Sequence, residues 1–148
     1  MASEYISYIM TVALGLIMVI AFATVFASIA ENLTVSVAYI DLLEITEETR
    51  DLIEDIATLI DSDPSLTESN FRIILPDTVA RFSFTITVLS DGETLQSSCQ
   101  GKETSISVKV DLPENFRLQG EFFSLYDTHS VSYVPSTTGE YVLILQDT

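Results

Sequence analysis

The hydrophobic pattern changes twice along the chain. Residues 5–30, from Tyr5 to Ala30, hold no charge and are almost wholly Ile, Val, Leu, Ala, Met and Phe. About 20 such residues suffice to cross a bilayer core of roughly 30 Å, so the block is long enough to span one. Further on, Leu42, Ile45, Leu52, Ile56 and Leu59 recur at spacings of three and four, with Thr49 in one slot and acidic residues between them. That predicts an amphipathic helix with one apolar stripe. No Pro or Gly falls between Gly15 and Pro64, so a single helix over residues 3–60 is expected. At about 1.5 Å per residue it would be roughly 85 Å long. Asp61-Ser62-Asp63-Pro64 supplies the stop, because proline pushes its predecessor out of helical conformation.

Beyond Leu66 the period becomes two. Phe82, Phe84, Ile86 and Val88 alternate with Ser83, Thr85 and Thr87, and Asp91-Gly92 has hairpin-turn chemistry. Further short runs lie at 106–110, 121–126, 131–134 and 141–145, broken by Pro113 and Pro135. The expected architecture is α+β: a long N-terminal hydrophobic helix followed by a small antiparallel, sandwich-like domain of five or six strands. The expected division is 1–62 for the helix, with a 3–30 membrane or filament-core half and a 31–62 acidic half, and 67–148 for the β-rich domain. Phe122, Phe123, Tyr126, Tyr133 and Tyr141 are expected to fill the sheet core.

Charge narrows the function. Acidic residues outnumber basic ones 22 to 6, and no Lys or Arg cluster is present to neutralise phosphates, which argues against nucleic acid. Nine carboxylates and one Arg50 between Asp41 and Asp63 give −8, half of the net −16, and read as a solvated helical face. Asp61, Asp63 and Glu68 lack the glycine turn and spacing of a calcium loop, so no metal or other cofactor is expected. Cys99 is the one cysteine and His129 the one histidine, which removes an intrachain disulfide and paired-His metal sites. No phosphate loop or nucleophile elbow stands out, and no enzyme is expected.

The apolar block carries the candidate chemistry of association. Ala13, Gly15, Ala21, Ala23, Ala27, Ser28 and Ala30 let helices approach closely, and Ala23 and Ala27 have small-xxx-small spacing. Glu4 precedes the block. It either stabilises the positive helix end or neutralises an N-terminal amine within a bundle of like helices. The first basic residue is Arg50, so positive flanks do not set an orientation. Two accounts fit: an unusual insertion signal, or a basic leader that preceded residue 1 and has been removed. Asn32-Leu33-Thr34 is an N-glycosylation sequon just past the block.

Residues 3–10, Ser3-Glu4-Tyr5-Ile6-Ser7-Tyr8-Ile9-Met10, lead into an Ala-rich apolar helix, an amphipathic continuation and Thr- and Ser-rich strands. This plan resembles the archaeal type IV pilin-like superfamily, which includes adhesion pilins and the archaellum filament protein. The resemblance implies removal of a short basic leader, helices bundled as a filament core, and β-domains on the outside. Copies of the chain would be its partners, the membrane its station before assembly, and the cell surface its destination. The family's early glutamate usually stands at the fifth mature position, one residue from Glu4. A second expectation of another class is a signal-anchored membrane protein whose external β-domain binds an envelope partner, resembling archaellum stator components.

Overall fold

The computed structural model describes residues 2–63, 70–135 and 140–147, with the side chains of residues 5–63, 70–134 and 140–147. The order is α1 (Ala2–Ser62), β1 (Asn70–Ile73), β2 (Phe84–Val88), β3 (Thr94–Cys99), β4 (Ser105–Lys109), β5 (Phe116–Phe123), β6 (His129–Pro135) and β7 (Tyr141–Asp147). The fold is α+β, and the chain divides into two compact units, Met1–Ser36 and Val37–Thr148.

In the first unit the described residues are helical throughout, as expected where no proline interrupts the run. Four hydroxyls in this unit's part of α1 bond back to the carbonyl four residues earlier: Thr11 to Ser7 at 2.8 Å, Thr24 to Ile20 at 2.5 Å, Thr34 to Ala30 at 2.8 Å and Ser36 to Asn32 at 2.9 Å. These polar atoms need no water, a requirement for any segment that sits in lipid or in a dry helix bundle.

In the second unit α1 ends at the predicted stop, where Ser62 Oγ and the Asp63 N–H both donate to the Leu59 carbonyl. The buried stripe differs from the expected one. Ala38, Leu42, Thr46, Thr49, Ile53, Ile56, Ala57 and Ile60 are buried, whereas Leu52 and Leu59 are 44% and 49% exposed. Two rows share Leu42, Thr49 and Ile56 and have equally helical spacing, and the sheet selects the row holding Thr46. Thr46 Oγ1 donates to Ser97 Oγ on β3 at 2.7 Å, and Glu54 accepts the Asp111 N–H at 2.8 Å.

The seven strands form one open sheet, β1-β6-β7-β5-β2-β3-β4, in place of the sandwich-like pair of layers expected. Two strands lay outside the expectation: β1, only four residues long, and β3, whose inward positions are Leu95, Ser97 and Cys99. The sheet is antiparallel except where β5 runs parallel to β7 over Phe116–Gly120, paired with Tyr141–Leu145. From Glu121 onward β5 pairs antiparallel with β2 instead. Gly120 is the pivot, with φ +101° and no room for a side chain, since a Cβ there would lie 2.1 Å from the Leu145 carbonyl oxygen. The Asp91-Gly92 turn joins β2 to β3 as expected: Asp91 Oδ1 accepts the Glu93 and Thr94 N–H groups, each at 3.0 Å, and Oδ2 accepts the Thr94 hydroxyl at 2.6 Å.

Of the five aromatic residues expected inside, Phe122 and Tyr133 are buried, Phe123 and Tyr141 half-buried, and Tyr126 is 52% exposed. Tyr126 falls in the turn after β5, beyond the end of the ladder, so the alternation that would turn it inward has already stopped.

Candidate assembly surface

The helix of the first unit is long and apolar enough to cross a membrane. Among the described residues every large hydrophobic side chain from Tyr5 to Ile29 is 48–70% exposed. A soluble monomer seldom exposes more than a few hundred Å² of contiguous apolar surface. Exposure on every side of the helix calls for an apolar surrounding on every side.

The predicted assembly residues share one geometric feature. Gly15, Ala23 and Ala27 are all exposed, and a Cβ added to Gly15 would meet nothing within 4 Å. They fall on a single i+4 row with Ser7, Thr11 and Val19, so five of its six members are small. Such a row winds down a helix as a shallow groove, into which the ridge of another helix fits. Ser7 and Thr11 form one stretch of it between Ile6, Met10 and Leu14. The sequence reading singled out Ala23 and Ala27 but passed over Ser7 and Thr11. The signal was the i+4 spacing of small residues of any polarity, made tolerable in an apolar setting by the back-bonded Thr11 hydroxyl.

Glu4 has helical backbone, but its side chain lies outside the described residues, as does Glu68. Asn32 is exposed inside the helix, and Thr34 of its sequon is bonded to Ala30. Of the nine carboxylates from Asp41 to Asp63, Glu44, Glu47, Glu48, Asp51, Asp55, Asp61 and Asp63 are exposed, while Asp41 and Glu54 are half-buried. Arg50 bonds Asp51 at 2.6 Å and lies 3.8 Å from Glu54, and the Asp51 hydrogen bond raises its pKa further above the ordinary value.

Two groups with chemical potential are built into the sheet. Cys99 is buried, which pushes its thiol pKa up and disfavours the reactive thiolate. His129 is buried with Nδ1 2.6 Å from Asp147 Oδ1, and its ring meets Phe122 edge-on at 5.5 Å. Asp147 Oδ2 accepts the Phe123 N–H at 2.7 Å, so this carboxylate ties β5, β6 and β7 together at one corner. No serine or cysteine side chain is bonded to this histidine among the described contacts, and the pair acts as a brace.

No protein-family model matches the chain, and neither a curated protein nor a solved structure matches it.

Proposed function

We propose that the chain is a structural subunit of an extracellular filament of the type IV pilus or archaellum kind, which assembles through its N-terminal apolar helix and serves adhesion or motility. The observation that carries this reading is the all-round exposure of the hydrophobic side chains from Tyr5 to Ile29 together with the small-residue row through Gly15, Ala23 and Ala27. Before assembly, lipid satisfies this surface. In the filament, identical helices replace lipid, and head-to-tail contacts that do not close on themselves extend into a fibre. The unit spanning Val37–Thr148 then faces the outside. Its surplus of acid keeps exposed faces solvated, and the chain carries out no catalysis in this reading.

The test combines negative-stain microscopy of sheared cell surfaces with two variants, Ala23→Leu and Ala27→Leu. Each fills the small-residue row while leaving the second unit untouched. Loss of filaments with retained β-sheet circular dichroism is the expected result. Normal filaments from both variants would remove the row from the interface. Recovery of the native protein only as a membrane-bound monomer would favour the permanent anchor over the filament subunit.

A further inference from the structure

Register divides the sheet of the Val37–Thr148 unit into two faces. Ser97 meets the helix through Thr46, and its ladder partners Ile86 and Ile106, with Phe122 beyond Ile86, share that buried face. The alternate positions point away from the helix. On β2, β3 and β4 they form two rows, Thr85-Ser98-Ser105 and Thr87-Gln96-Ser107, whose side chains are half-buried or exposed.

Charge is sorted between the two sides of the unit. The strands hold two acidic residues and three basic ones. Asp147 lies on the helix side, bonded to His129, whereas Arg72, Lys109, Arg117 and Glu121 occupy outward positions and are exposed. Three basic residues against one carboxylate leave the outward face positive in a chain of net −16. The helix presents the reverse. Glu44, Glu48, Asp51 and Asp55, at spacings of four, three and four, form an exposed stripe opposite the buried row through Leu42, Thr46 and Ile53. This stripe is about 16 Å long. Arg117 on β5 and Lys109 on β4 stand three strands apart, about 14 Å at ordinary strand spacing.

Neither of these two cations is held in a buried pair. Arg117 Nη1 donates to the Asp91 carbonyl at 3.2 Å and Lys109 lies 3.1 Å from Glu93, both at the surface, where such contacts contribute little and exchange readily. Arg117 also lines a cleft of about 440 Å³ with Ser90, Gln119 and Gly120, open where the β2 ladder with β5 ends at Thr87.

From this sorting of charge we infer that the outward face of the sheet receives the acidic helix stripe of a second copy of the chain, whose carboxylates meet Arg117 and Lys109. Stripe and face lie on opposite sides of one unit, so each copy offers one to each of two neighbours. Such a contact is not self-complementary, and it adds copies in a row or ring instead of closing a pair. Scarcity of carboxylates on the face is what the contact requires, because juxtaposed like charges cost affinity. The net −16 repels at long range, but at about 0.15 M salt screening beyond about 8 Å suppresses that repulsion and spares the direct pairs. Association therefore strengthens from about 0.01 M to about 0.15 M salt and weakens again toward about 1 M. The inference rests on the reading of the chain as a subunit that packs against copies of itself, and adds a contact made outside the apolar helices.

The test cross-links copies with a short bismaleimide, both in sheared filaments and in the full chain in detergent. The chain carries Thr58→Cys beside Asp55 on the helix and Ser98→Cys on the outward face, in a Cys99→Ala background; both positions are exposed, and the sheet between them prevents a link within one copy. The expected result is a ladder of dimers, trimers and larger species, whereas chains with either cysteine alone go no further than dimers. Arg117→Glu with Lys109→Glu is expected to reduce species larger than dimer at least tenfold, and Glu48→Lys with Asp55→Lys in the same chain to restore them. Products confined to dimers, or a ladder that charge reversal leaves unchanged, overturn the docking. Filaments without the ladder overturn the docking and leave the filament reading standing. A charge-dependent ladder in detergent, from a protein whose cells show no filaments, upholds the docking and overturns the filament reading.

Discussion

Replacing Gly120 with Ala tests the strand switch on which the sheet depends. The added Cβ would lie 2.1 Å from the Leu145 carbonyl oxygen and 3.0 Å from its carbon, where ordinary contact begins near 3.4 Å. β5 and β7 must therefore separate by more than an ångström at their last parallel pair, Gly120 with Leu145. Two ladder hydrogen bonds are weakened there, at about 1 kcal/mol each. The backbone adds about 1–3 kcal/mol, because φ +101° belongs to a region that side chains rarely enter. The expected cost is about 3–5 kcal/mol, a large fraction of the roughly 5–15 kcal/mol that holds a domain together. Gly101→Ala is the control: its φ is +75°, nothing lies within 4 Å of the added atom, and a backbone cost of about 1–2 kcal/mol is expected. Urea titration of the full chain in detergent, followed by near-ultraviolet circular dichroism of Tyr133 and Tyr141, whose rings lie 5.6 Å apart, reads the sheet directly. If Gly120→Ala loses no more than Gly101→Ala, the close approach of β5 and β7 is not what fixes glycine at this position.

Three further outcomes follow from other parts of the sheet. The two-residue turn between Val79 and Phe82 places Ala80 and Arg81 at φ +46° and +74°, so Arg81→Gly is expected to raise stability by about 1 kcal/mol in the same titration, and a loss would show that the Arg81 side chain offsets the strain. Asp147→Ala removes the acceptor shared by His129 and Phe123 N–H and is expected to cost about 3 kcal/mol, with Asp147→Asn intermediate; equal stability of all three forms would dismiss the brace. Asp91 has its pKa held below the ordinary 3.8, first by the Thr94 hydroxyl and then by the Glu93 N–H. A depressed carboxylate contributes stability that is present above its unfolded pKa and lost as pH falls through its folded one, so the wild type should lose this increment below about pH 4 and Asp91→Asn should not; identical acid limbs in the two unfolding curves would refute the assignment.

How much of this was legible beforehand is clearest at particular residues. Composition alone marks the apolar block, since a run without charge from Tyr5 to Ala30 has few physical solutions, and the lack of any breaker up to Pro64 fixes the helix that follows. Alternation and the Asp91-Gly92 pair were sufficient for β2 and its hairpin. The candidate assembly row was half visible, because small size is a sequence property, whereas the suitability of Thr11 for an apolar setting depends on its bond to Ser7. Other features were decided only when distant segments met. Strand β3 hides its pattern because Ser97 occupies an inward position, and that choice becomes sensible once Thr46, 51 residues earlier, reaches it. The helix offers two equally periodic rows, and contact with the sheet picks one and leaves Leu52 and Leu59 outside. The parallel pairing of β5 with β7 has no local signature, because strand register is set by partners far apart in the chain. Local periodicity determines which elements form, and only the tertiary structure decides which neighbours they meet.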